Sequence, residues 1–260
     1  MGKCTIPEDP NPDSRLAEVE SLDVARRNRR NKRAGAKWQS TLRDGLRSAG
    51  LDVEVLPQTG VEDEGDLVVR LGGGHRWVVI EAKAGTMHPS DFVDQTRAET
   101  NHFARHRGID PARVSGIAVV KRRNYAWERA YVLTDVASYF RLPIHTPRVQ
   151  PAGKSWPRVL CTGLRSAGFE AELLPHNPAA MEGDLVIRDG LTAKVVKAKA
   201  GTLRVGELVD QMQAETLAYA RHRDMDPRRV EGLAIVKRRT APWSDAYVLT
   251  ELGDYFGLGD

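Results

Sequence analysis

Gly65-Asp66-Leu67-Val68-Val69-Arg70-Leu71-Gly72-Gly73-Gly74-His75-Arg76-Trp77-Val78-Val79-Ile80-Glu81-Ala82-Lys83 is the stretch that decides the fold. Two β-rich runs, 66–70 and 77–83, flank three glycines and read as a hairpin. Glycines can also cradle a phosphate, but neither a helix nor a Lys-Ser/Thr pair follows these, so they read as a turn. A turn centred between Gly73 and Gly74 sets Asp66 across from Glu81, since the two are equally far from that centre. Opposed residues on an antiparallel pair have Cβ atoms about 5 Å apart. Glu81 and Lys83 are two apart and share a face, while Ala82 points the other way. Asp66, Glu81 and Lys83 therefore converge. Two carboxylates that close repel unless a cation lies between them, and an all-oxygen donor set suits Mg²⁺ or Mn²⁺. A lysine beside a metal can orient or deprotonate a water and offset charge on a phosphorane. The bland alternative for any D…ExK is a surface salt bridge from Lys83. The apolar run Val78-Val79-Ile80 leading into the triplet, and the glycine-aspartate one hairpin earlier, set this case apart.

The chain around the hairpin continues the pattern. Trp38, Leu42 and Leu46 recur at helical spacing over 35–49, and Gly50 ends that helix. Residues 52–56 alternate like a strand. Ser90 is placed to cap a helix running to about 107, with Phe92, Val93 and Phe103 apolar. Strands follow at 117–120 and 131–133, then a short helix toward Phe140. The order α-β-β-β-α-β-β-α implies a mixed sheet with helices packed on it, an α/β (α+β) fold.

The pattern occurs twice. Leu46 to Gly50 (LRSAG) returns at Leu164, Gly65 to Val68 (GDLV) at Gly183, and Ala82 to Thr86 (AKAGT) at Ala198. Asp94-Gln95 matches Asp210-Gln211, Lys121-Arg122-Arg123 matches Lys237-Arg238-Arg239, and the Ala130 to Thr134 segment matches Ala246 to Thr250. Repeats of this length are copies of one domain, large enough to hold a core. The organisation expected is an acidic then basic, flexible N-terminal arm at 1–33, a domain at 34–142, a linker at 143–154 containing Pro143, Pro147 and Pro151, and a second domain at 155–260.

Composition narrows the classes. The chain has 260 residues, 41% hydrophobic and 28% charged, which fits a globular protein and excludes disorder for most of its length. No apolar run approaches the roughly 20 residues that span a bilayer, and the polar N-terminus does not resemble a secretory signal. Cys4 and Cys161 form neither a disulfide framework nor a ligand cluster, so a reducing cytoplasm is expected. The net charge of +4 is mild, so its distribution matters more than its size. Arg26, Arg27, Arg29, Arg30, Lys32 and Arg33 make the densest basic run, either a solvated helix face or an arm that neutralises phosphates. The Lys121-Arg122-Arg123 and Lys237-Arg238-Arg239 clusters precede Trp127 and Trp243, a combination suited to phosphate contact and base stacking, or else to tryptophans packed beneath the loops. His102 and His106 have a zinc-compatible spacing but lack an evident third ligand.

Gly65-Asp66 followed by Glu81-Ala82-Lys83 resembles the PD-(D/E)XK nuclease superfamily, and more closely the Holliday junction resolvase-like nucleases of archaea and bacteriophages. The similarity spans 32–142, from the helix at Gly35 through Asp66, Glu81, Lys83, Gln95, Lys121-Arg122-Arg123 and Tyr131-Val132, and recurs over 153–258. It implies two restriction-endonuclease-like domains and metal-dependent cleavage of phosphodiesters in branched DNA, such as a four-way junction. Asp66 and Glu81 would carry Mg²⁺ (or Mn²⁺), Lys83 the water, and Gln95 would support the site from its helix. The family's glutamate in the first helix is replaced here by Gln39, with Glu62, Asp63 and Glu64 as nearby substitutes. A bacterial or phage-infected host cytoplasm is the setting implied.

The second copy keeps Asp184, Lys199 and Gln211, but Lys197 stands in place of Glu81. Its triplet of Asp, Lys and Lys carries +1 where Asp, Glu and Lys carry −1, so it should reject a divalent cation. The expectation is a live first domain beside a dead second one, an internal pseudo-dimer that nicks DNA, with further homodimerisation open. The competing class is a catalytically inactive DNA-binding protein or an antagonist of a DNA-processing complex.

Overall fold

The computed structural model describes residues 12–57, 62–142, 155–175 and 181–258, and among these the side chains of 12–23 and 25 are left aside. The expected linker, 143–154, lies outside the described residues, as do 1–11 of the expected arm. From Pro12 the arm is helical and continuous with the first predicted helix, giving α1 (Pro12–Ser48). Its last third carries Trp38, Leu42 and Leu46, all buried, whereas Arg26 to Arg33 are exposed.

β1 (Asp52–Val55), β2 (Leu67–Leu71) and β3 (Arg76–Lys83) are successive antiparallel neighbours. Gly72, Gly73 and Gly74 turn the hairpin with φ of 57°, 65° and 87°, the left-handed region that favours glycine. β4 (Val114–Val120) is parallel to β3, a pairing that needs a crossover, which α2 (Pro89–His106) provides. Ser90 does not cap α2. Its first turn opens on Pro89, whose fixed φ suits that position, and His88 at the cap makes no side-chain bond. β5 (Tyr131–Asp135) lies antiparallel to β4 and runs into the short α3 (Val136–Phe140).

The second half repeats this order with α4 (Trp156–Ser166), β6 (Glu170–Leu173), β7 (Leu185–Asp189), β8 (Thr192–Lys199), α5 (Val205–His222), β9 (Val230–Val236), β10 (Tyr247–Glu251) and α6 (Leu252–Phe256). The ten strands form one mixed sheet in the order β1-β2-β3-β4-β5-β10-β9-β8-β7-β6, flanked by helices. The halves meet where β5 pairs antiparallel with β10.

Burial follows the strand alternation. α1 covers Leu67, Val69, Val78, Ile80, Ile117 and Val119 on one face, while Phe103 of α2 packs with Val68 and Val79 on the other. The cores interlock across the seam. Leu252, Tyr255 and Phe256 of α6 complete the core of the first half, and Val136, Tyr139 and Phe140 of α3 complete that of the second. Val93, Ala118 and Leu133 share a third cluster with Leu208, Met212, Ala234 and Leu249.

Both tryptophans that follow the basic clusters pack against helices of their own half, and Trp243 presents no face for stacking on a base. Trp243 is fully buried, and a Cβ on Gly163 of α4 would come within 2.4 Å of its ring. Trp127 lies equally close to Gly45 of α1.

Candidate functional site

The hairpin register is the one the glycine turn implies. Leu67 pairs with Ile80 and Leu71 with Arg76, which brings Asp66 to the place opposite Glu81. The Asp66 N–H donates to the Ile80 carbonyl at 3.0 Å, and its carboxylate accepts from the Ala82 N–H at 2.8 Å. That bond fixes the Asp66 side chain against the end of β3 beside Glu81.

Glu81 lies at the end of an apolar strand with its side chain only 11% exposed, and Lys83 is 20% exposed. Lys83 Nζ donates to Glu81 Oε1 at 2.6 Å and to Gln95 Oε1 at 2.8 Å. The Gln95 amide donates to the same Glu81 oxygen at 3.0 Å and to Glu99 Oε1 at 2.7 Å. Glu81, Lys83 and Gln95 are thus one hydrogen-bonded unit. α2 supplies Gln95 and Glu99 one turn apart on the face that covers β3. Phe92, one turn earlier, holds its ring 5.3 Å from the Lys83 ammonium.

Glu99 belongs to this unit and was not foreseen. It is buried, and burial together with the neighbouring Glu81 charge raises its pKa to about 8. Among the described residues its Oε2 atom has no hydrogen-bond partner. The signal was in the repeat, since Ala98-Glu99-Thr100 returns as Ala214-Glu215-Thr216, each four residues beyond the matched glutamine.

The other acidic candidates are used elsewhere. Glu62 and Glu64 pair with His106 at 3.0 and 2.9 Å, and with Arg105 and Arg107 at the far end of α2. His102 stacks on His106 and its Nδ1 lies 3.4 Å from the Asp63 carbonyl oxygen. Gln39 reaches the first strand of the hairpin as a donor, from Nε2 to the Asp66 carbonyl at 3.2 Å. Among the described residues no three His, Cys, Asp or Glu side chains are grouped to hold a metal ion. The residues fit a different mode: two facing carboxylates with water and phosphate completing the shell, which is how Mg²⁺ is commonly held.

In the second half Leu185 pairs with Val196, so Asp184 lies opposite Lys197. Asp184 accepts from the Ala198 N–H at 2.8 Å, just as Asp66 accepts from Ala82. Lys197 Nζ lies 2.9 Å from Glu215 Oε1 and 3.7 Å from Asp184. Gln211 also donates to Glu215, at 2.8 Å. Lys199 lines a shallow pocket with Thr202, Arg204 and Gln211. An ammonium group therefore occupies the centre of the second constellation.

The basic clusters divide between surface and seam. Lys121, Arg123, Lys237 and Arg239 are exposed. Arg122 is not available to phosphate: it is buried in ion pairs with Asp210 at 2.6 Å and Glu251 at 2.9 Å. Arg238 crosses the seam the other way to Asp94 at 2.9 Å. Both arginines were expected to bind DNA, but the pairing of β5 with β10 turns them into contacts between the halves. No helix among the described residues is long and apolar enough to cross a membrane.

No protein-family model matches the chain, and no curated protein does. Among solved structures, similarity is found to a Holliday junction resolvase of Archaeoglobus fulgidus, an archaeal hyperthermophile, solved at 1.6 Å. The match has 20% identity, covers 38% of this chain and 74% of that one, and has a TM-score of 0.27.

Proposed function

We propose that the first half is a metal-dependent endodeoxyribonuclease acting on branched DNA of the four-way-junction type. The second half would serve as its inactive pseudo-dimer partner. The observation that carries this reading is the hairpin register, which aligns Asp66 with Glu81 at the end of β3 and leaves Lys83 and Gln95 bonded to Glu81.

Asp66 and Glu81 would hold Mg²⁺ or Mn²⁺, which when bound stabilises charge on phosphate oxygens and acidifies a coordinated water. The chain's own residues do the positioning. The Ala82 N–H fixes Asp66, and Gln95 clamps Glu81 to Glu99 so that Glu81 keeps one rotamer. Lys83, bonded to Glu81 and Gln95 at the end of β3, would direct its ammonium to the attacking water and the developing phosphate charge. The second half lacks the second carboxylate, and Lys197 already neutralises Glu215 there. One live site in a two-fold framework predicts a nick rather than paired incisions.

The test is cleavage of end-labelled four-way junction, flap and linear duplex DNA with Mg²⁺ or Mn²⁺, beside Glu81→Ala. Cation-dependent single-strand cuts that vanish in the variant are expected. Gln39 favours a second reading, a DNA-binding protein without catalysis, because it places an amide donor at the Asp66 strand where a carboxylate ligand would serve. Tight junction binding with no cleavage in either protein would select that reading.

A further inference from the structure

The helix that precedes the hairpin differs in length between the halves. α1 has 37 residues, and its counterpart α4 has 11. The two are aligned by their first tryptophans: Trp38 donates to the Val119 carbonyl and Trp156 to the Ile235 carbonyl, each at 3.2 Å. Val119 is next to last in β4, and the Lys121 N–H beyond it bonds to the Lys83 carbonyl. Everything in α1 before Trp38 therefore projects past the strand ends where Lys83 sits.

A cavity of about 490 Å³ opens at this point. Ala34, Lys37, Lys121 and Arg123 line it, together with Thr86 from the loop after Lys83 and Val205 from the second half. Lys37, Lys121 and Arg123 have no ion-pair partner among the described residues. Going outward from Lys37, the basic residues Arg33, Arg30 and Arg26 follow at steps of four, three and four, which keeps them on one face of the helix. Arg29, three from Arg26 and four from Arg33, borders the same face; Arg27 lies about a quarter-turn away from it and Lys32 on the other side. At 1.5 Å per residue the row from Lys37 to Arg26 extends about 16 Å, close to the rise of five phosphates along one strand of duplex DNA.

We propose that this face of α1 is a one-sided phosphate rail that leads a DNA arm into the cavity beside Lys83. It fixes which arm of a two-fold symmetric junction meets the first half. The occupant is a nucleic-acid backbone because the row offers regularly spaced cations and no apolar stripe to seat a peptide or a membrane. The second half has no equivalent: Ile144, Arg148, Pro151 and Ser155 stand at the positions matching Arg26, Arg30, Arg33 and Lys37. A symmetric substrate bound to a protein with a single rail takes one orientation, so cleavage falls reproducibly on the strand served by Asp66 and Glu81. This inference rests on the nuclease reading of that site.

The test compares Arg26→Ala with Arg30→Ala, as a double variant, against Arg27→Ala with Lys32→Ala, which removes the same charge from outside the row. All are full-length proteins carrying Glu81→Ala, so that DNA stays intact, and the affinity for a four-way junction is followed across salt concentration. Each lost phosphate contact lowers the slope of log K against log salt by about 0.9. The rail variant is expected to lose nearly two units of slope, the variant outside the row less than half a unit, and Arg26→Lys with Arg30→Lys none. Equal losses from both double variants overturn the rail while leaving the nuclease proposal intact. No junction binding by the parent protein overturns both.

Discussion

Leu133 stands directly across from Leu249, its own counterpart in the second half, at the middle of the β5–β10 pairing. A residue that pairs with its equivalent lies on the two-fold relating the halves, and the strand order reads the same outward from this point in both directions. Glu251 sits opposite Tyr131, and Arg122 bonds both to Glu251 and to Asp210 of α5.

The seam predicts unequal roles for two equivalent arginines. Arg122 and Glu251 are each about 5% exposed at their side chains, and Arg129 also reaches Glu251. Arg122→Ala leaves a buried carboxylate with one fewer cation, which costs about 3–5 kcal/mol when a buried partner is removed. Arg238 is 24% exposed and its partner Asp94 50%, so Arg238→Ala should cost about 1 kcal/mol or less. Urea melts of the two variants check this, and equal losses would refute the burial argument.

A second pair of variants tests packing. Gly45 and Gly163 each face an indole so closely that an added Cβ would lie 2.5 and 2.4 Å from ring atoms. Alanine favours a helix over glycine by about 1 kcal/mol, whereas overpacking a filled core costs about 1–3 kcal/mol. Trp243 is fully buried and has no room to retreat, so Gly163→Ala should be net destabilising. Trp127 is only partly buried, and Gly45→Ala should cost less. Thermal melts of both variants decide the order.

Much of this architecture was legible because it rests on short-range signals. Three glycines and two apolar runs sufficed to set the Asp66–Glu81 register, since a hairpin's pairing follows from its turn. Repetition made the second constellation readable in the same way. The seam was not legible. Nothing local in Tyr131 to Asp135 shows that β5 would pair with β10, and so Arg122 and Arg238 look like surface cations in the sequence. The same pairing explains why α3 and α6 pack on the opposite half. Glu99 escaped notice because a carboxylate on an amphipathic helix looks solvent-facing until the strand beneath it is known.

Glu99 gives a pH prediction. Its carboxyl titrates near 4.5 when unfolded and is raised to about 8 in the folded chain, chiefly by burial and then by Glu81. The folded state therefore holds a proton that the unfolded state releases, and the stability linked to it is complete below pH 4.5 and lost as pH rises toward about 8. Glu99→Gln keeps the shape without the titration. In the presence of a chelator, wild-type melting temperature should fall relative to Glu99→Gln between pH 5 and 8, and parallel curves would exclude the effect.

Lys197 gives the most direct test of how the two constellations are related. In the second half its ammonium stands opposite Asp184 and neutralises buried Glu215, doing with a covalently attached charge what the first half is proposed to do with a bound cation. Lys197→Ala strips Glu215 of its only ion-pair partner among the described residues and should cost about 3–5 kcal/mol, as for any broken buried pair. Lys197→Glu recreates facing carboxylates above Glu215, so it should be less stable than wild type in chelator through like-charge repulsion. Millimolar Mg²⁺ or Mn²⁺ should then raise its melting temperature more than that of Lys197→Ala, because a cation that binds only the folded state stabilises by mass action. Calorimetric melts of both variants, with and without the cation, read this without any DNA. An equal response in the two would show that the backbone shared by the halves does not by itself build a divalent-cation site.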